Sequence, residues 1–143
     1  LIIICALISD FLGYQFKWQV TITILSLIVT SAFLIQRQTL QETKLFNKLF
    51  KDFNNRYDRM NETLTNIKNK KELSPEDESL LVDYFNLCAE EYLFKKKGYI
   101  PKNVWEFWKN GMKTYMEDDK IKDLWIKEKK TDSYYGLEMP NSE

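Results

Sequence analysis

Apolar residues follow two regimes along this chain. Over the first 36 positions they run almost unbroken, and beyond them they recur every three or four residues between charges. No residue from Trp18 to Gln36 carries a formal charge, and the centre of that stretch, Val20 to Ile35, reads VTITILSLIVTSAFLI. As a helix the stretch rises about 28 Å, close to the roughly 30 Å thickness of bilayer hydrocarbon. Trp18 at its edge suits an interfacial ring. The rival is a buried strand or core helix, since VTITI alternates and is β-branched. A strand needs partners for its backbone groups, however, and the chain offers few other strand-like runs. The reading is a transmembrane helix over 18–36.

Leu1 to Ile8 is also apolar, until Asp10 interrupts; FLGYQF follows, with Gly13 as a candidate turn. Residues 1–36 are read as a helical hairpin with a short loop near Ser9–Lys17, because short loops join antiparallel helices. An interfacial segment and the apolar region of a signal peptide are the alternatives. The chain starts at Leu1 rather than Met, so a fragment or processed product is expected. Arg37, Lys44, Lys48 and Lys51 follow the span and only Lys17 precedes it closely. By the positive-inside rule the remainder faces the cytoplasm. Lys outnumbers Arg 18 to 3 and Asn and Ile are frequent, a bias of AT-rich bacterial genomes, so the membrane is read as a bacterial inner membrane.

A helix is predicted over about Gln36 to Asn69. Phe46, Phe50, Phe53, Tyr57, Met60, Leu64 and Ile67 recur at 4-3-4-3-4-3 spacing, which keeps one face apolar. This stripe suits either cover by later helices of the same chain or a coiled coil; its bulky rings fit a two-stranded seam poorly and favour the former. NKKELSPEDESLL breaks the pattern. Ser74 is a natural N-cap, Pro75 fits the first helical position, and Glu76, Asp77 and Glu78 complement the helix dipole. The second helix then runs to about Lys97, with Leu81, Tyr84, Phe85, Cys88 and Tyr92 inward. Gly98 ends it in a left-handed conformation. A third helix, Lys102 to Met116, places Val104, Trp105, Trp108, Met112 and Tyr115 on one side. Gly111 inside it suggests close approach of a neighbouring helix. A fourth, Asp119 to Lys129, presents Ile121, Leu124 and Trp125. After Gly136 periodicity is lost.

The fold class is therefore all-α: one or two N-terminal transmembrane helices, then a small cytoplasmic bundle of about four helices. The organisation is an anchor over 1–36, a helical domain over 37–136 and a flexible tail over 137–143.

Composition narrows the chemistry. The chain has 21 Lys and Arg against 21 Asp and Glu, and residues 1–40 hold only Asp10, Lys17 and Arg37. That balance gives no field to attract nucleic acid. Histidine is absent. This removes the commonest base near neutral pH, a Ser-His-Asp triad, a Cys-His pair and any His-based zinc site within the chain. Cys5 and Cys88 form no disulfide framework or zinc motif, and a reducing compartment fits them.

Three groups of residues could still carry function. Glu90 and Glu91 could bind a metal or do acid–base work, but adjacent helical residues point about 100° apart. The bland reading leaves one solvated and the other paired to a lysine. Trp105, Trp108, Trp125, Tyr134 and Tyr135 could form an interaction surface, or fill the core of a small domain. Lys95, Lys96 and Lys97 could touch anionic lipid, or simply compensate the helix dipole. Cys88 is read as core, since no histidine activates it. No cofactor, metal site or catalytic residue is expected, and the chain is not read as an enzyme.

Residues 80–112, LLVDYFNLCAEEYLFKKKGYIPKNVWEFWKNGM, resemble a pattern in small bacterial membrane-anchored helical proteins that carry a domain of unknown function. There, a helix with YFN…EEY is followed by GYI and by a helix that begins VW. The resemblance implies an N-terminal anchor and a helical cytoplasmic domain, with no activity attached. The leading functional expectation is a membrane-anchored interaction module whose partners are the bilayer, an unidentified protein and a second copy of the chain. The alternatives are a membrane-acting effector of a phage-defence or toxin system and a carboxylate-dependent enzyme.

Overall fold

The computed structural model describes residues 2–141, apart from the side chains of Ile2, Ile3, Cys5, Ala6 and Gln15. The Cys5 thiol, Leu1 and the last two tail residues lie outside the described residues. Four helices make up the chain: α1 (Ile2–Lys68), α2 (Pro75–Lys96), α3 (Lys102–Met116) and α4 (Asp119–Lys129), with no strand among the described residues. The all-α class and the positions of α2, α3 and α4 follow the sequence pattern closely.

The beginning does not. No turn interrupts residues 9–17, so the expected hairpin is corrected to one continuous helix of 67 residues. Nothing in SDFLGYQFK compels a stop. There is no proline, Asp10 is a single charge, and Gly13 inside a helix costs only about 1 kcal/mol relative to alanine. The strand-like VTITI resolves in the same way. Thr21 and Thr23 donate to the carbonyls of Lys17 and Gln19, at 2.9 and 2.8 Å, so their hydroxyls are satisfied by the preceding helical turn.

The chain divides into two compact units, residues 1–43 and 44–143. In the first, α1 is long and apolar enough to cross a membrane by length and composition. Its large apolar side chains between Ile4 and Leu40 are all exposed. The second unit has its own core. There Phe53, Leu64 and Ile67 of α1 are buried with Leu81, Phe85, Met112, Ile121 and Trp125. The stripe on α1 is thus covered from Phe53 onward by later helices of the same chain, as its aromatic content suggested.

Local signals act where expected. The Ser74 hydroxyl accepts from the Asp77 amide at 3.3 Å, and the Asp77 carboxylate accepts from the Ser74 amide at 3.0 Å. This reciprocal cap starts α2. Asp77 also accepts twice from Lys70, at 2.7 and 2.8 Å, which ties the α1–α2 loop to the helix start. These bonds hold the Asp77 carboxyl below its usual range. Gly98 closes α2 at φ 80°.

The tail needs a correction. Leu137 and Met139 are only 2% and 3% exposed, so the chain beyond Gly136 packs on the core rather than hanging loose. The turn is set by Tyr135 and Gly136, both at positive φ, and closed by a 2.9 Å bond from the Leu137 amide to the Tyr134 carbonyl. Single buried residues after a turn have no periodicity for a pattern search to find.

Phe85 contacts both Trp125 and Tyr134, at ring centroids 5.1 and 6.5 Å apart. Phe85→Ala is therefore expected to destabilise the domain by about 3–5 kcal/mol. Urea unfolding of the detergent-solubilised chain checks this, with exposed Phe107→Ala as a control expected within about 0.5 kcal/mol of the parent.

Candidate functional site

Adjacent carboxylates on α2 meet opposite surroundings. Glu90 points toward α1, where Arg56 grips it with both guanidinium arms, at 2.6 and 3.0 Å. This fork-to-fork geometry is the strong form of such a pair. It raises the Arg56 pKa, first through the hydrogen bond to Glu90. The pair also borders an open polar cleft of about 490 Å³ that includes Arg59, Asp83, Asn86 and Tyr135.

Glu91, one position further round the helix, goes inward. It is only 7% exposed. Its side chain lines a second, smaller cavity of about 180 Å³, enclosed by α1, α2 and α3. Tyr57 stands on the α1 side, Tyr84 and Cys88 on the α2 side, and Trp108 and Gly111 on the α3 side. The sequence reading of this pair is corrected on both counts. The partner of Glu90 is an arginine 34 residues away, not a helical lysine, and Glu91 is not solvated. Gly111 is corrected as well. A Cβ built on it would meet nothing within 4 Å, so it borders empty space rather than a close-packed helix.

The hydroxyls around the cavity are ordered. Tyr57 donates to the Asn61 side-chain oxygen at 3.1 Å. The 3.0 Å contact between the Tyr57 and Tyr115 hydroxyls then takes its proton from Tyr115. Burial is the first cause that raises the pKa of Tyr57, Tyr84 and Cys88. All three are neutral near pH 7, which fits Cys88 as a packed thiol rather than a nucleophile.

Burial also pushes the Glu91 carboxyl up from its ordinary 4.5 to about 8, with the Arg56 charge pulling it partly back and the Glu90 charge adding to the rise. It is a neutral acid at pH 7. Because its value is raised on folding, its contribution to stability is complete below pH 4.5 and is lost as pH climbs through 8.

The five aromatic residues read as a surface do not form one. Trp105, Trp125 and Tyr134 are buried. Trp108 is half-buried and lines the cavity, while Tyr135 is exposed beside the polar cleft. The core reading is the better account of them, except for Tyr135. The Trp125 indole N–H is buried without an acceptor among the described residues. The lysines that end α2 sit over rings: Lys95 over Tyr92 and Trp105 at 5.7 and 6.0 Å, and Lys97 over Phe94 at 5.7 Å. Among the described residues no group of three or more His, Cys, Asp or Glu could hold a metal ion. Comparison with protein-family models, curated proteins and solved structures returns no match.

The Glu91 titration gives a stability prediction. The groups facing it from α1 and α2 are Arg56, Glu90, Tyr57, Tyr84 and Cys88, while α3 presents no charge to the cavity. The urea midpoint of the parent should fall between pH 5 and pH 8. Glu91→Gln should flatten that fall and add about 2–4 kcal/mol at pH 8, where folding must keep protonated a carboxyl that water would ionise. A parent whose stability is flat across this window would refute the assignment.

Proposed function

We propose that this chain is a membrane-anchored helical module. In this reading the apolar half of α1 is the span and residues 44–143 work in the bacterial cytoplasm through a partner rather than through a reaction of their own. One observation carries it. The apolar stretch of α1 is uncovered by anything in the chain, while the residues after it bury a complete core of their own. Soluble proteins rarely leave so large a contiguous apolar surface bare. A bilayer would cover it, and the helix satisfies its own backbone there.

Orientation follows from Arg37, Lys44, Lys48 and Lys51 after the span. The rival effector reading drew on a helical hairpin, and α1 runs without one. The resemblance over residues 80–112 adds the same architecture and no activity.

Three measurements test the proposal. The chain should stay with membranes through alkaline carbonate washing. Ile24→Lys with Leu27→Lys should release it, since each lysine at a span centre costs about 2.5–3.5 kcal/mol. On sealed vesicles, protease should reach the domain from the cytoplasmic face; digestion only from the outer face would overturn the orientation. Finally, the chain should purify from detergent extracts with a stoichiometric partner or a second copy. A protein that remains alone and monomeric at cellular concentration would overturn the interaction role.

A further inference from the structure

We propose that the cavity among α1, α2 and α3 is a binding site for a small organic cation, an aryl- or alkylammonium of roughly six to ten non-hydrogen atoms.

Size comes first. A protein cavity of roughly 150 Å³ accommodates benzene. This one, at about 180 Å³, has room for a ring and a short polar arm. Entry is by way of Phe107, which is 73% exposed, and Gly111, whose missing side chain leaves open space.

The walls are suited to a cation with an apolar body. Tyr57, Tyr84 and Trp108 present ring surface, and rings attract a desolvated ammonium by their quadrupole. Leu87 and Met112 supply apolar contact. Nothing cationic lines the cavity.

The charge count decides the sign of the ligand. Three carboxylates, Asp52, Glu90 and Glu91, lie near the one guanidinium of Arg56. Arg56 spends both arms on Glu90. Glu91 is more than nine-tenths buried, lines the cavity and forms no hydrogen bond among the described residues. Its compensation is the charge of an arginine already bound to Glu90, so this buried acid lacks an ion-pair partner of its own. An ammonium supplies it. Glu91 then releases its proton to bulk water and pairs as the carboxylate. Binding is thereby linked to pH. Below about pH 8 each unit of acidification should weaken it about tenfold, and above that value affinity should level off. An anion would meet the Glu91 carboxyl and no cationic lining residue, and a neutral isostere would gain nothing from ionising Glu91.

The test is calorimetric titration of the full chain in zwitterionic nanodiscs, with empty nanodiscs as reference and benzylamine as the probe. Benzyl alcohol is the neutral comparator of nearly the same shape. Benzylamine should bind in the sub-millimolar range, at least about tenfold more tightly than benzyl alcohol, with affinity rising from pH 6 to pH 8. Glu91→Gln should remove both the preference and the pH dependence. Gly111→Leu, which projects a side chain into the open space, should abolish binding of either molecule while circular dichroism shows the helices intact. Equal affinity for amine and alcohol, an affinity flat with pH, or unchanged binding in either variant would overturn the proposal. If Glu91→Gln fails to fold, the amine–alcohol comparison on the parent chain decides alone.

Discussion

Aromatic rings join the second half of α1 to the helices that cover it. Phe53 meets Phe94 and Trp108 at 5.8 Å, Phe50 stacks on Trp108 at 6.0 Å, and Tyr57 meets Tyr84 at 6.4 Å. Among themselves α2, α3 and α4 pack directly. Long side chains at a helix interface hold the axes apart, because interaxial distance is set by what stands between them. Rings fill that separation where they occur. Where α3 offers Gly111 instead, the separation is left open as the cavity. The position of the cavity is thus a consequence of the same stripe that builds the domain.

Electrostatics follow from that geometry. Arg56 and Glu90 stand at the edge of the interface, where the pair is about one-third exposed and easily hydrated. A salt bridge in such a setting contributes little to stability by itself. Its larger effect is on Glu91, which is left with a distant share of a guanidinium already engaged. Burial then outweighs the attraction, and the acid stays neutral near pH 7. Burial thus separates two chemically identical neighbours: Glu90 at the edge is held by arginine, and Glu91 inside stays an acid.

Much of this was legible in the chain, and the reason is local. Ser74, Pro75 and Asp77 start α2 with bonds that span three residues, and Gly98 stops it with one backbone conformation. Helical periodicity then places Leu81, Tyr84, Phe85 and Cys88 on one face. The candidate site was legible only as residue types. That Glu90 meets Arg56, and Glu91 shares a cavity with Tyr57 and Trp108, depends on three helices being brought together, which spacing along one helix cannot report. Gly111 misled for a related reason: a glycine signals either contact or space, and only the neighbour decides. The expected hairpin fails in the other direction: one glycine and one aspartate do not outweigh a continuous run of helical hydrogen bonds.

Three choices that lower stability coincide at one place. Gly111 weakens α3 by about 1 kcal/mol relative to alanine, and alanine would fit there without a clash. Glu91 buries a carboxyl where leucine or methionine would pack without an ionisation penalty. The cavity leaves wall atoms without van der Waals partners, a loss that scales with its volume. Elsewhere the departures are scattered: α2 and α4 carry side-chain caps and the aromatic core is dense, while α3 starts without a side-chain cap and the Trp125 indole N–H lacks an acceptor among the described residues. A fold that is locally consistent nearly everywhere and departs from consistency three times around one void marks that void as the place where something other than folding sets the residues. Packing alone would have chosen a larger side chain at Gly111 and an apolar one at Glu91. A ligand that brings its own charge and its own volume would satisfy both positions at once.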